Sequence, residues 1–188
     1  MIRLLTTFAI VTALAGPAAA ETQGPQATMT AGTSAHNAWL GRSFVQRFLG
    51  EPNATSREAV AEQIISPDYV QHDPLAPPGR KGLEGYASTL FASFPDAKTE
   101  LQDVIATPDR VVARYVFTGT LSGAPMMGAP AKGQKVHVNI IDIWRVQDGK
   151  LYEHWDQIDW TSYLAQLGLP GLPAPFYQLA GVKPPAAP

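Results

Sequence analysis

The hydrophobic period of this chain changes once, at Pro95-Asp96, and that change limits what the chain can fold into. Before it, apolar residues recur every three to four positions. After it they gather in extended runs rich in Val, Ile, Thr and aromatics. Trp39, Leu40, Phe44, Phe48 and Leu49 predict an amphipathic helix over 35–49, with Gly50 as its stop. Thr55, three residues before Glu58, has the capping-box form and opens a second helix that runs through Ile65. Residues 68–73 read as a short strand, and Pro74, Pro77, Pro78 and Gly79 force a loop. A third helix over 82–94 stops at Pro95-Asp96. Strands follow at 99–106, 111–121, 135–146 and 151–159, with turns at Pro108-Asp109 and Asp148-Gly149 and a Gly/Pro/Met loop over 122–133. A short helix over 160–167 closes the series. Helices followed by a run of antiparallel strands predict an α+β fold: a curved antiparallel sheet with three helices on one face, enclosing a pocket.

Composition narrows the function classes. A chain of 188 residues suits one domain with terminal appendages. A net charge of −2 offers no basic surface for nucleic acid. The absence of Cys removes disulfides, thiolate nucleophiles and Cys-held zinc or iron–sulfur centres. Arg3, the apolar run over 4–16 and Ala18-Ala19-Ala20 before Glu21 form the three-part pattern of a secretory signal peptide. The apolar run is short for a membrane span. The expectation is an exported protein, periplasmic or secreted, with no membrane attachment after cleavage; an uncleaved anchor is the alternative. Residues 21–34 read as a disordered leader, 35–168 as the folded domain, and 169–188 as a Pro-rich tail.

The last hairpin carries the candidate chemistry. Side chains alternate along a strand, so Asp142 and Trp144 share one face, and His154 and Asp156 share one face of the next strand. A three-residue loop at Gln147-Asp148-Gly149 puts Asp142, His154 and Asp156 on the same side; a two-residue Asp148-Gly149 turn puts Asp142 beside Trp155 instead. Two carboxylates in a poorly solvated cavity cannot both ionise cheaply, so one pKa rises, which suits a base for a carbon acid beside a carbonyl. An enolate oxygen needs donors, and His154, His72, Gln71 and Tyr115 are the candidates. Trp144, Trp155, Phe91 and Met126 or Met127 are the candidate apolar lining, with the Met loop as a mouth. The structural alternatives are ordinary: Asp156 capping a helix, His72 bonded to its own Asp73, His154 packed in the sheet. His72, His154, Asp142, Asp156 and Asp159 are metal-capable but lie on separate segments without ligand spacing, so no metal and no cofactor is expected.

Several segments in order carry a resemblance. Phe91-Ala92-Ser93-Phe94-Pro95-Asp96 is followed by Asp109-Arg110-Val111-Val112-Ala113-Arg114-Tyr115 and Thr118-Gly119-Thr120. Then come the run from Asp142-Ile143-Trp144 to His154-Trp155-Asp156, and Gln166-Leu167-Gly168. Together they resemble the SnoaL-like polyketide cyclases and their ester-cyclase relatives over roughly 35–168. The resemblance implies an NTF2-like cone and a cofactor-free intramolecular aldol closure of a polyketide ester. In those cyclases an Asp on the last strand takes the proton, and Asp156 stands at that position. A His on the preceding strand is matched by Asp142, and an early Asn by Gln71. The resemblance puts both Asp positions in the cavity, which favours the three-residue loop, and it suggests a homodimer. The expected function is a cofactor-independent cyclase, isomerase or hydrolase acting on an apolar carbonyl compound. Its catalytic residues would be Asp156, Asp142 and His154, with His72, Gln71, Tyr115, Trp144, Trp155, Phe91 and Met127 binding substrate. The alternative is a non-catalytic small-molecule-binding module in the periplasm, because export sits poorly with polyketide assembly inside the cell.

Overall fold

A computed structural model describes residues 30–73, 75–169 and 181. The expected signal peptide lies outside these residues, as do most of the leader and the tail. Helix α1 (Ser34–Ser43) begins at Thr33, whose hydroxyl accepts the His36 N–H, and continues into one π-helical turn (Phe44–Phe48). That wider turn buries Phe44, Val45 and Phe48 together against the sheet. Helix α2 spans Ala54–Ile64. Its cap is Asn53, which accepts the Ser56 N–H at 3.0 Å, and so the expected cap at Thr55 is corrected by two positions. Asn is among the strongest N-cap residues and sits where the backbone is still extended.

Strand β1 (Ile65–Gln71) follows directly, then α3 (Gly79–Ser93), β2 (Lys98–Ala106), β3 (Arg110–Leu121), β4 (Gln134–Gln147), β5 (Lys150–Ile158) and α4 (Trp160–Gln166). The five strands form one curved sheet in the order β1-β5-β4-β3-β2. Four strands pair antiparallel, as the alternating pattern predicts. β1 adds a parallel pair at the edge, placing Gln71 beside His154. Sequence alternation could not show that pairing, because β1 meets β5 only after three intervening strands and α3 have been placed.

The inner face carries Val111, Ala113, Tyr115 and Phe117 of β3, Val136, Val138, Asp142 and Trp144 of β4, and Leu151, His154 and Ile158 of β5, all buried. Helices cover this face. One cluster gathers α1, α2 and α3 around Trp144; a second gathers Phe94, Phe117, Leu121 and Tyr163 at the other end. Val70, Ile105, Ile141 and Ile143 are exposed.

The hairpin between β4 and β5 resolves the two turn readings in an unforeseen way. Gln147 pairs with Lys150, and Asp148 and Gly149 both have positive φ (51° and 71°), so the turn is the two-residue form. By itself that turn would set Asp142 opposite Trp155. The register then shifts: Arg145 pairs with Glu153 and Val146 with Leu151, leaving Tyr152 unpaired as a β-bulge. Beyond it Asp142 faces Asp156 and Trp144 faces His154. The favoured three-residue loop is therefore corrected, while the facing it was meant to supply is produced by the bulge.

Candidate functional site

Between the sheet and its helices lies a cavity of about 640 Å³, counting its open mouth. Its wall is apolar on most sides, with Phe44, Leu49, Leu83, Leu90, Phe117, Val138, Ile140 and Ile158. Its polar residues are Gln71, Asp73, Tyr86, Tyr115, Asp142, His154, Asp156 and Tyr163. Among the described residues no Lys or Arg lines it.

Asp142 and His154 form the fixed part. They are 2% and 4% exposed. His154 Nε2 lies 3.5 Å from Asp142 Oδ1, and its Nδ1–H donates to Gln71 Oε1 at 2.8 Å. The same Gln71 oxygen accepts the Asp73 N–H at 3.0 Å. Tyr115 donates its hydroxyl to Asp142 Oδ2 at 3.0 Å. Burial alone would push the imidazole's pKa down. Asp142, then Asp156 and Asp73, outweigh it and hold His154 above its ordinary value. Behind this pair Trp144 stacks on the His154 ring at 5.2 Å and meets the Phe44 ring at 4.7 Å with the planes tilted by 57°, and its indole N–H donates to the Tyr69 hydroxyl at 3.2 Å.

Asp73 and Asp156 form the responsive part. Burial pushes Asp156 up to about 7, the neighbouring Asp73 and Asp142 add to the rise, and His154 opposes it. Asp73 is also raised, first by burial, while the Leu75 N–H on its Oδ1 (2.8 Å) and His154 pull the other way. The two carboxyls influence each other and so titrate as a pair rather than separately. Tyr86 and Tyr163 complete the wall. Burial raises both phenols, so they stay protonated. The Tyr86 hydroxyl makes no hydrogen bond among the described residues, and that of Tyr163 is buried without a partner.

The structure thus brings Asp142, His154, Asp156, Gln71 and Tyr115 to one wall. Five other expected lining residues are corrected. Trp144 is wholly buried behind His154 rather than open to the cavity. Trp155 and His72 stack on each other at 4.9 Å outside the cavity, where His72 meets Glu153 at 3.0 Å, because neighbouring strand positions face opposite ways. Phe91 lies under the Arg57 guanidinium, and Met127 packs, partly buried, against the second cluster. The sequence reading missed Asp73, Tyr86 and Tyr163 as wall residues. The only signal for Asp73 in the sequence is its place in Gln71-His72-Asp73-Pro74, at a strand end before a Pro-rich loop.

Asp142, His154 and Asp156 each offer one ligand atom, all within 4.8 Å, and are the residues that could hold a metal ion. His154 Nε2 is buried without a hydrogen bond among the described residues, 3.5 Å from Asp142 Oδ1, and is the nitrogen that such a cation would use. The other metal-capable residues lie elsewhere: His72 is outside the cavity, and Asp159 caps α4 by accepting the Ser162 N–H.

No helix among the described residues is long and apolar enough to cross a membrane. Solved structures with the same architecture include TsrD of Streptomyces laurentii, at 27% identity and a TM-score of 0.62, covering 71% of this chain and 96% of that one. IdmH of Streptomyces antibioticus, a candidate polyketide cyclase, is 32% identical with a TM-score of 0.53, covering 72% and 98%. A candidate SnoaL-like polyketide cyclase of Jannaschia sp. CCS1, at 20% identity and a TM-score of 0.64, covers 76% and 99% and shares the fold. No curated protein matches the sequence. The SnoaL-like polyketide cyclase pattern matches residues 43–167, well over half of the chain and every element around the cavity, and the protein belongs to that family.

Proposed function

We propose that this is an exported, cofactor-independent acid–base enzyme of the cyclase or isomerase type, acting on an apolar carbonyl compound with Asp156 as its base. The observation that carries the reading is Asp156 itself: a carboxyl in an apolar cavity beside two other carboxyls, pushed up to about 7. Such a group is a stronger base than an ordinary carboxylate and is still ionised to a useful fraction near neutrality. The apolar wall would hold the carbon skeleton. Asp156 would take a proton from the carbon next to the carbonyl. The unengaged hydroxyls of Tyr86 and Tyr163 are the available donors for the enolate oxygen. Tyr115, expected to donate there, has its hydroxyl committed to Asp142. The His154–Asp142 pair would fix the charge on the wall rather than move a proton.

The test is enolisation, which needs no knowledge of the natural substrate. Wild-type protein in D2O should exchange the α-hydrogens of aryl ketones and 1,5-diketones faster than buffer alone, before and after chelator treatment, as read by proton NMR. A protein that binds these compounds and exchanges none of them is a carrier, and the enzyme reading fails.

A further inference from the structure

Two atoms on the cavity wall have the spacing of ligands around a common centre. His154 Nε2 and Asp142 Oδ1 stand 3.5 Å apart. The nitrogen is buried, on a side chain only 5% exposed, and makes no hydrogen bond among the described residues. That separation is long for a hydrogen bond, yet it matches the edge of a tetrahedron: two ligands about 2.1 Å from a zinc ion lie about 3.4 Å apart. The far side of each group is already engaged. His154 Nδ1–H donates to Gln71 Oε1 at 2.8 Å, so in the neutral ring Nε2 carries the free lone pair. Asp142 Oδ2 accepts the Tyr115 hydroxyl at 3.0 Å, which leaves Oδ1. A ring N–H on a carbonyl oxygen and a hydrogen bond on the outer carboxylate oxygen are the contacts that orient metal ligands. Asp156 supplies a third oxygen. It shares the face of His154 on β5 and pairs with Asp142 across the ladder. The three ligand atoms lie within 4.8 Å of one another, and a rotation of the half-buried Asp156 side chain closes the set.

We propose that Asp142, His154 and Asp156 form a binding site for one late first-row divalent cation of the zinc class. Two carboxylates balance the charge of the ion, and no Lys or Arg among the described lining residues opposes it. The imidazole sets the class. Magnesium and calcium take oxygen shells, whereas an imidazole nitrogen beside carboxylates suits zinc and its neighbours. Three protein ligands leave a fourth position to water from the cavity. Sequence spacing does not show the site, because Asp142 stands on the other strand of the hairpin. The proposed reaction does not need this ion and competes with it. A carboxylate bound to a cation cannot take a proton from carbon, so the ion switches the site off. The binding itself does not depend on Asp156 being a base.

The full chain, stripped with a chelator and desalted, is titrated with Zn2+ by calorimetry and with Co2+ by visible absorption. One ion should bind per chain, Co2+ should give the intense bands of four-coordination, and excess Mg2+ or Ca2+ should not compete. Asp156→Asn and His154→Gln should each weaken Zn2+ by at least about 100-fold, and Gln71→Leu, which removes only the outer partner, by about 10–100-fold. His72→Gln, outside the cavity, should bind as wild type does. Circular dichroism checks each fold. Should His154→Gln not fold, nitrogen NMR of the wild-type imidazoles replaces it: Zn2+ should move His154 Nε2 and leave His36, His72 and His137 in place. No binding by the stripped protein, full binding by Asp156→Asn, equal binding of Mg2+, or loss of binding in His72→Gln overturns the site. In the D2O exchange assay Zn2+ should abolish exchange and chelator should restore it. Stoichiometric Zn2+ that leaves exchange undiminished also overturns the site, because Asp156 is then not a ligand. If the stripped protein exchanges nothing, the base reading fails, and the titrations still decide this inference.

Discussion

Asp156→Asn should cut turnover of a carbonyl substrate by about 10²–10⁴-fold and at the same time raise the melting temperature at pH 8. The two effects share one cause. Native Asp156 has its carboxyl raised to about 7, against roughly 3.9 in an unfolded chain. A raised acid binds its proton more tightly in the folded state. Its stabilising contribution is full below about pH 4, shrinks as the pH climbs, and is gone above about 7. Asp73 is raised in the same direction. His154, held above its ordinary value, also stabilises at lower pH and loses that contribution as the pH passes its folded value. Asp96 runs the other way: the Thr120 N–H and hydroxyl hold it low, so its contribution disappears only in acid. The wild-type melting temperature should therefore peak between about pH 4 and 6 and decline toward pH 8. For Asp156 the decline amounts to about 2–4 kcal/mol once its partial solvent access is counted. The Asn variant should show a flatter profile and cross above wild type near neutrality. Thermal unfolding across the pH range is the measurement, and parallel profiles for the two proteins would remove Asp156 from the account.

Trp144→Ala should cost about 3–5 kcal/mol of stability, the range for emptying a buried aromatic site. Trp144 is wholly buried at the centre of the first core cluster, between the Phe44 ring and the His154 ring. It is also the hydrogen-bond donor to the Tyr69 hydroxyl. Ala would leave a void on one side of His154 and an unpaired hydroxyl on the other side of the core. Trp144→Phe separates the two losses. It keeps most of the ring packing and gives up the indole N–H, so it should cost about 1–3 kcal/mol. Urea midpoints at fixed pH measure both, and equal midpoints for the two variants would show that the hydrogen bond, not the volume, carries the effect.

Most of the secondary structure was legible because each element announces itself locally. The three-to-four spacing of Leu40, Phe44 and Phe48, the stop at Pro95 and the β-branched runs of β3 and β4 need no tertiary context. The site was legible only in part, for a physical reason. Asp142, His154 and Asp156 lie on one hairpin, so local pairing brings them together, although the bulge at Tyr152 and not the turn sets who faces whom. Asp73, Tyr86 and Tyr163 come from a loop and two helices, and nothing local says that these will close over the same wall. The aromatic residues misled for a related reason. Trp155 is next to Asp156 in sequence, and for that very reason it points the other way.

The bulge at Tyr152 makes the site tolerant of a change in length at one point. Deleting this single residue would regularise the ladder: Val146 would still pair with Leu151, Arg145 with Glu153 and Asp142 with Asp156, so the acid and the imidazole would keep their side of the sheet. A lineage could thus lose one codon here and keep the site. The count of residues between the turn and the last acid is therefore a poor guide among relatives, and the partner that the last acid meets on the neighbouring strand is the inherited trait to compare.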